Sequence, residues 1–386
     1  MPVMTGLSGN EIYCLNLKGF APGELVIGNS VFSMGLFGSL AAAGRGILGG
    51  EVTQVTQVIH EGRLEAYQRM VAEAQRHGGA GITGVTNELR TFHGNTEFLS
   101  VASTLHHRGE PPAGSRMFTT SANGQELYCQ MDAGFTPIQF VFGNVAYSIG
   151  ATGGIIGSLK AMARGEIKEF SDVFNRTRHL ALERIANEGK AVGANAIVGI
   201  ETRTMMFQGV HEMLMLGTAS THPALAVPAM PQAGQTLNYQ SQSQARPDTV
   251  YPRQPVTSDL TNEEMWNLIH MGYMPLKLVL GTAVYSLGVV GGIKAALQSF
   301  TRGEVGPLTT LIYDAREHAI GLIRDEATTI GADDVVGVKT HIHEHQNLLE
   351  FMAIGTAVKK MPNVTTVTQT LPPQAIIKDK DTWVGS

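Results

Sequence analysis

Residues Gly143 to Glu166 read GNVAYSIGATGGIIGSLKAMARGE, a segment with six glycines and no charge before Lys160. The uncharged run around it extends from Ala133 to Leu159, 27 residues. Three readings compete. A membrane span needs about 20 apolar residues, and the run is long enough, but it contains Thr136-Pro137, Gln139 and Asn144 and a strand-like pattern. A phosphate loop is ordinarily followed by GK[ST], or runs in a GxGxxG register that opens a helix; GATGGIIGSLK has neither. The favoured reading is a packing surface, where glycines admit a second backbone and Ile155, Ile156 and Leu159 leave water.

The segment occurs three times. GNSVFSMGLFGSLAAAGRGILGGE begins at Gly28 and GTAVYSLGVVGGIKAALQSFTRGE at Gly281, offsets of 115 and 138 residues. The third copy is interrupted by Lys277 and Lys294, which argues further against a span. The offsets hold across a whole unit: EIYCLNLKGFAP, ELYCQMDAGFTP and EMWNLIHMGYMP coincide, as do Gly84, Gly199 and Gly337. Internal repetition at this length marks tandem domains. The expected boundaries are 11–106, 126–219 and 261–358. Residues 220–260, rich in Pro, Gln and Ser, read as a flexible linker, and 359–386 as a loosely held tail. The shorter first linker, HRGEPPAGSRMFTTSANGQ, reads as spacer of the same kind.

Within each unit, LVIGNSVF, FVFGNVAY and LVLGTAVY predict a strand from their β-branched and aromatic residues. A long helix follows. Its apolar stripe falls at Val55, Ile59, Ala66 and Met70, at Phe170, Phe174, Ala181 and Ile185, and at Leu308, Ile312, Ala319 and Ile323. The helix stops at Gly78, Gly193 or Gly331. Two further strands close the unit. The fold class is α+β: three tandem two-layer domains, each an antiparallel sheet packed on a long helix.

The motifs GNVAYS, Arg178, GANAIVGI and GTA in the second unit, and GTAVYS, Arg316, GADDVVGV and GTAV in the third, resemble the YbjQ-like family. This family is also called UPF0145 or DUF74, and one of its names is that of a heavy-metal-binding domain. The first unit, with GGAGITGV and ASTL, joins by register. The resemblance implies a dodecin-subunit-like fold and a pentameric ring. It implies no established activity.

Composition narrows the partners. With 43% apolar and 16% charged residues the chain can bury substantial cores. A net charge of −5 and a pI near 6.2 provide no basic footprint, so nucleic acid is not an expected partner. Cys14 and Cys129 are far apart and outside any CxxC spacing, which argues against disulfides and thiolate zinc. The opening MPVMTGLSGN lacks a secretory pattern, so the cytoplasm is the expected compartment.

Three sets of residues are candidates for function. Gly35, Gly38, Gly150, Gly154, Gly157, Gly288, Gly291 and Gly292 are expected at packing interfaces. Arg63 with Glu97, Arg178 with Glu212, and Arg316 with Glu350 recur in register and read as structural ion pairs within each unit. His341, His343 and His345 alternate along a strand and so share a face, where a row of imidazoles could hold Zn, Ni or Cu. The equivalent residues of the other units carry no such row. No Ser/His/Asp set, HExxH or repeated polar cluster marks a catalyst. The expected function is therefore non-enzymatic: a homo-oligomer assembling as a ring, with five chains and one unit type per layer favoured. Metal trafficking through the histidines is the alternative, and peripheral membrane association the second.

Overall fold

The computed structural model describes residues 2–33, 50–148, 165–207, 210–226, 254–286, 306–345 and 348–376. The eight glycines assigned to packing lie outside them, as does most of the second linker.

The first repeat contains helix α1 (Gly9–Leu17), strand β1 (Phe20–Ser33), a two-residue strand β2 (Gly50–Glu51), the long helix α2 (Thr53–Arg76) and the hairpin β3 (Gly81–Phe92) and β4 (Asn95–His107). The second contains β5 (Phe118–Thr119), α3 (Gly124–Asp132), β6 (Thr136–Ser148), β7 (Gly165–Glu166), α4 (Lys168–Ala191), β8 (Ala196–Phe207) and β9 (Val210–Thr221). The third contains β10 (Val256–Thr257), α5 (Asn262–His270), β11 (Tyr273–Ser286), α6 (Gly306–Thr329), β12 (Asp334–His345) and β13 (Leu348–Lys360), and a short helix α7 (Pro373–Ile376) follows.

In every repeat the third long strand lies between the first and the second, and these three pair antiparallel. The long helix packs on one face. All four stripe residues of α2 and all four of α4 are buried, whereas Leu308 and Ile312 of α6 are only half-buried. A glycine in the first strand sets how near the helix comes. A Cβ on Gly143 would meet the Ala181 carbonyl and the Ile185 amide, and Gly28 and Gly281 face their own helices in the same way. The stop glycines Gly78, Gly193 and Gly331 have φ of 69°, 82° and 69°, the left-handed conformation that ends a helix.

The short helices α1, α3 and α5 were not anticipated, although each carries a legible start. Ser8 with Glu11, Asn123 with Glu126 and Thr261 with Glu264 form complete capping boxes.

The repeats are not beads on a string. They stack so that sheet and helix alternate, α2 and α4 each lying between its own sheet and the back of the next. Phe140, Phe142, Leu214 and Leu216, on the back of the second sheet, share a core with Tyr67 and Met70 of α2. Leu278, Leu280, Met352 and Ile354, on the back of the third, share one with Phe174 and Ile185 of α4. Strand exchange reinforces the stack. The β2 residues extend the second sheet at Tyr147 and Ser148, and β7 extends the third at Tyr285 and Ser286. In the other direction β5 pairs in parallel with β3, and β10 with β8.

Two expectations are corrected here. The ends of the linkers are not spacer, because Phe118–Thr119 and Val256–Thr257 complete the edge of the preceding sheet and free backbone groups there would otherwise be unpaired. The residues after Lys360 are not loose up to Ile376: Thr368 donates to Asp132, Thr366 bonds His270, and Ala375 is buried.

Candidate functional site

The repeated feature with the most chemistry is the joint between successive repeats. Helix α2 presents Arg63 to the second sheet, and α4 presents Arg178 to the third. Arg63 Nη2 donates to Glu212 Oε2 at 2.8 Å and its Nε to Oε1 at 3.3 Å. Arg178 Nη2 donates to Glu350 Oε1 at 2.6 Å and to the Tyr147 hydroxyl at 2.7 Å. All four charged groups are buried. The pairing within each unit, Arg63 with Glu97 and Arg178 with Glu212, is therefore corrected: each arginine reaches the carboxylate of the next repeat, because its side of the helix faces the neighbouring sheet. The third such pair does not form either. Arg316 is exposed, and Glu350 is engaged by Arg178.

The two joints differ in polish. Asn87 Oδ1 takes Arg63 Nη1 at 2.7 Å. At the equivalent position the second repeat has Thr202, and among the described residues its hydroxyl and the Nε and Nη1 of Arg178 lack a hydrogen-bond partner. Arg178 instead lies over the Tyr147 ring, 4.5 Å from its centroid, and over Phe174 at 5.4 Å. Burial works against its charge, but Glu350 and Tyr147 outweigh that and hold the guanidinium above its ordinary range. Burial also pushes the Tyr147 hydroxyl up to about 12, so it stays protonated.

Further polar contacts repeat at the joints. His60 of α2 bonds Asn144 of β6 at 3.3 Å, and Asn175 of α4 exchanges two bonds with the Thr282 backbone, at 2.8 and 3.2 Å. Glu188 takes the Phe142 amide at 3.1 Å and lies 3.6 Å from His60; burial raises its carboxyl to about 7. Its counterpart Glu326 is lowered, since hydrogen bonds from His179 and Lys277 overcome burial.

One element breaks the repetition. Asp132, fully buried, accepts Lys18 Nζ, Trp266 Nε1 and the Thr368 hydroxyl, each at 2.7 Å. Burial alone would raise this carboxyl, yet these three donors hold it below the usual range. It pins all three repeats and the tail at one point. The residues at the equivalent positions are Leu17 and His270, so repeat comparison gives no hint of it. A cavity of about 380 Å³ is also walled by all three repeats, with Thr86, Glu201 and Lys339 among its lining.

His341 and His343 lie along β12 with rings stacked 6.5 Å apart at 9°. The side chain of His345 lies outside the described residues. Among the described residues no group of three or more His, Cys, Asp or Glu converges as a metal site would require. Two stacked imidazoles do not make a closed donor set. Cys14 and Cys129 are buried, and burial raises both thiols, Cys14 to about 11. No helix among the described residues is long and apolar enough to cross a membrane.

These joints define a tandem α+β protein whose repeats share their cores. The chain belongs to the YbjQ family, described as "Putative heavy-metal-binding", whose profile matches residues 21–104, 135–222 and 273–361. It is 31% identical over 225 residues to the Encapsulin nanocompartment protein Rv1762c of Mycobacterium tuberculosis, covering 55% of this chain and 83% of that one. It is 36% identical over 83 residues to a UPF0145 protein of Methanocella arvoryzae, covering 21% and 69%. A UPF0145 protein of Saccharolobus islandicus is 36% identical over 89 residues, covering 23% and 78%.

Proposed function

We propose that this protein is a non-enzymatic structural component that self-assembles into a large, ring-like homo-oligomer. The observation that carries the reading is the recurrence of one joint: the same helix-on-sheet-back packing, strand exchange and buried Arg–Glu pair join repeats one and two and repeats two and three. A joint that links unlike copies twice within a chain is suited to linking chains. It is head-to-tail, and such contacts generate closed rings or open filaments. The relative named as an encapsulin nanocompartment protein supports an assembly role.

The file of repeats favours rings that mix all three repeat types over rings of one type each. Whole chains bring repeats in threes, so a ring of five repeats has no room for them and a five-fold ring takes five chains. Light scattering of the purified protein, with electron microscopy of the same sample, tests the reading. A ring with a lumen is expected. A mass of 41.3 kDa, that of one chain, at micromolar concentration refutes it.

A further inference from the structure

Both ends of the stack are unfinished, and each carries the half of the joint that the other lacks. At the first repeat the back of the sheet is bare. Leu25, Ile27 and Val31 are 40, 51 and 52% exposed, whereas their equivalents in the second repeat, Phe140, Phe142 and Ala146, are at most 3% exposed. Glu97, on the same face, is half-buried and among the described residues is bonded by Asn29 alone, while Glu212 and Glu350 are sealed against arginine.

At the third repeat the outer side of α6 is bare. Arg316 is exposed, and Tyr313, at the position of His60 and Asn175, is 63% exposed. On β12, Val338 is 44% exposed where Val85 and Ile200 are buried.

The backbone shows the same complementarity. Val3 and Met4 align with Phe118–Thr119 and Val256–Thr257, the pairs that add to the preceding sheet, yet both are exposed. They are held in place, since the Met4 carbonyl takes the Leu25 amide at 2.6 Å, as Thr119 and Thr257 hydroxyls take Phe140 and Leu278 amides. The strand edge they would complete, Asp334–Val335 by the register of Ala196–Ile197 with β10, pairs with no strand on that side among the described residues.

We infer that a second copy of this chain docks head-to-tail here, with Arg316 on Glu97 of the next chain and Val3–Met4 added in parallel to Asp334–Val335. The occupant follows from continuity: the surfaces are the two halves of an interface that the chain already makes twice. Val338 and Tyr313 then cover Leu25, Ile27 and Val31, which takes these apolar side chains out of water. The inference rests on the assembly reading and specifies its contact.

Charge reversal tests it, read by mass in solution. Arg316 and Glu97 lie outside the internal joints, so Arg316→Glu and Glu97→Arg should keep the wild-type circular dichroism. Each alone sets like charges together in a site built to be dry, and association should weaken by about 100-fold or more. Both changes in one chain restore the pair and should restore the wild-type mass. A Met4→Cys, Val335→Cys variant should form reducible cross-links between chains. If wild type assembles and both single variants keep its mass, this contact is wrong and the assembly reading survives. If wild type is a single chain, both fall.

Discussion

Replacing Arg178 with Met removes a guanidinium that is wholly buried between the second and third repeats. Glu350, equally buried, loses its 2.6 Å partner, and the Tyr147 hydroxyl loses its 2.7 Å one. Stripping one member from a buried ion pair costs about 3–5 kcal/mol, since the remaining charge has no water to return to. The orphaned hydroxyl adds roughly 1 kcal/mol. A single variant should thus lose about 4–6 kcal/mol, a large share of what an ordinary domain has. Urea unfolding followed by circular dichroism and by Trp266, which lies in the third repeat, reads the loss. The companion variant Arg178→Met with Glu350→Leu leaves no stranded charge and should recover to within about 1 kcal/mol of wild type. A single-variant cost below about 1 kcal/mol, or a double variant as unstable as the single, refutes the claim that charge pairing governs this joint.

Thr202→Asn copies the first joint into the second by offering Arg178 the amide oxygen that Asn87 offers Arg63, and should add about 1 kcal/mol in the same titration; a loss would show that the site cannot seat the larger group. Glu188 holds its proton to about pH 7 when folded, against 4.5 ordinarily, so stability falls as pH rises between those values and levels off above them. Glu188→Gln keeps an oxygen for the Phe142 amide, and its advantage in melting temperature should grow from pH 5 to 7 and then hold; a gap independent of pH refutes the assignment. Gly143→Ala forces a methyl against the Ala181 carbonyl and should cost about 1–3 kcal/mol by urea unfolding, with no loss refuting the tight approach.

The repeat, the order of its long helix and three long strands, and the buried stripe of α2 and α4 were legible because they follow from register and from the 3.6-residue period. Close approach is expected from the sequence at eight glycines that lie outside the described residues; Gly143, Gly28 and Gly281, where the structure shows it, are legible only as strand positions, and the backbone each meets is its own helix. The recurring arginines and glutamates were legible as residues that need partners. Their true partners were not, because register within a unit cannot say which face of the helix a neighbour covers. Capping boxes at Ser8, Asn123 and Thr261 carried a local signal for α1, α3 and α5 that the repeat alignment obscured. Asp132 carried none: its donors come from residues 18, 266 and 368, brought together only by the tertiary fold.

The sharing of α2 and α4 between two sheets would also set how the proposed assembly responds to dilution. Two of the joints a chain can make are held by the peptide backbone, where neighbouring repeats meet at an effective concentration of order millimolar or above. Only the chain-to-chain joint answers to protein concentration. Lowering concentration should therefore break the proposed rings into intact three-repeat units and never into single repeats, and a small change at that one joint would move the whole assembly while the four charges of the two internal joints stay dry.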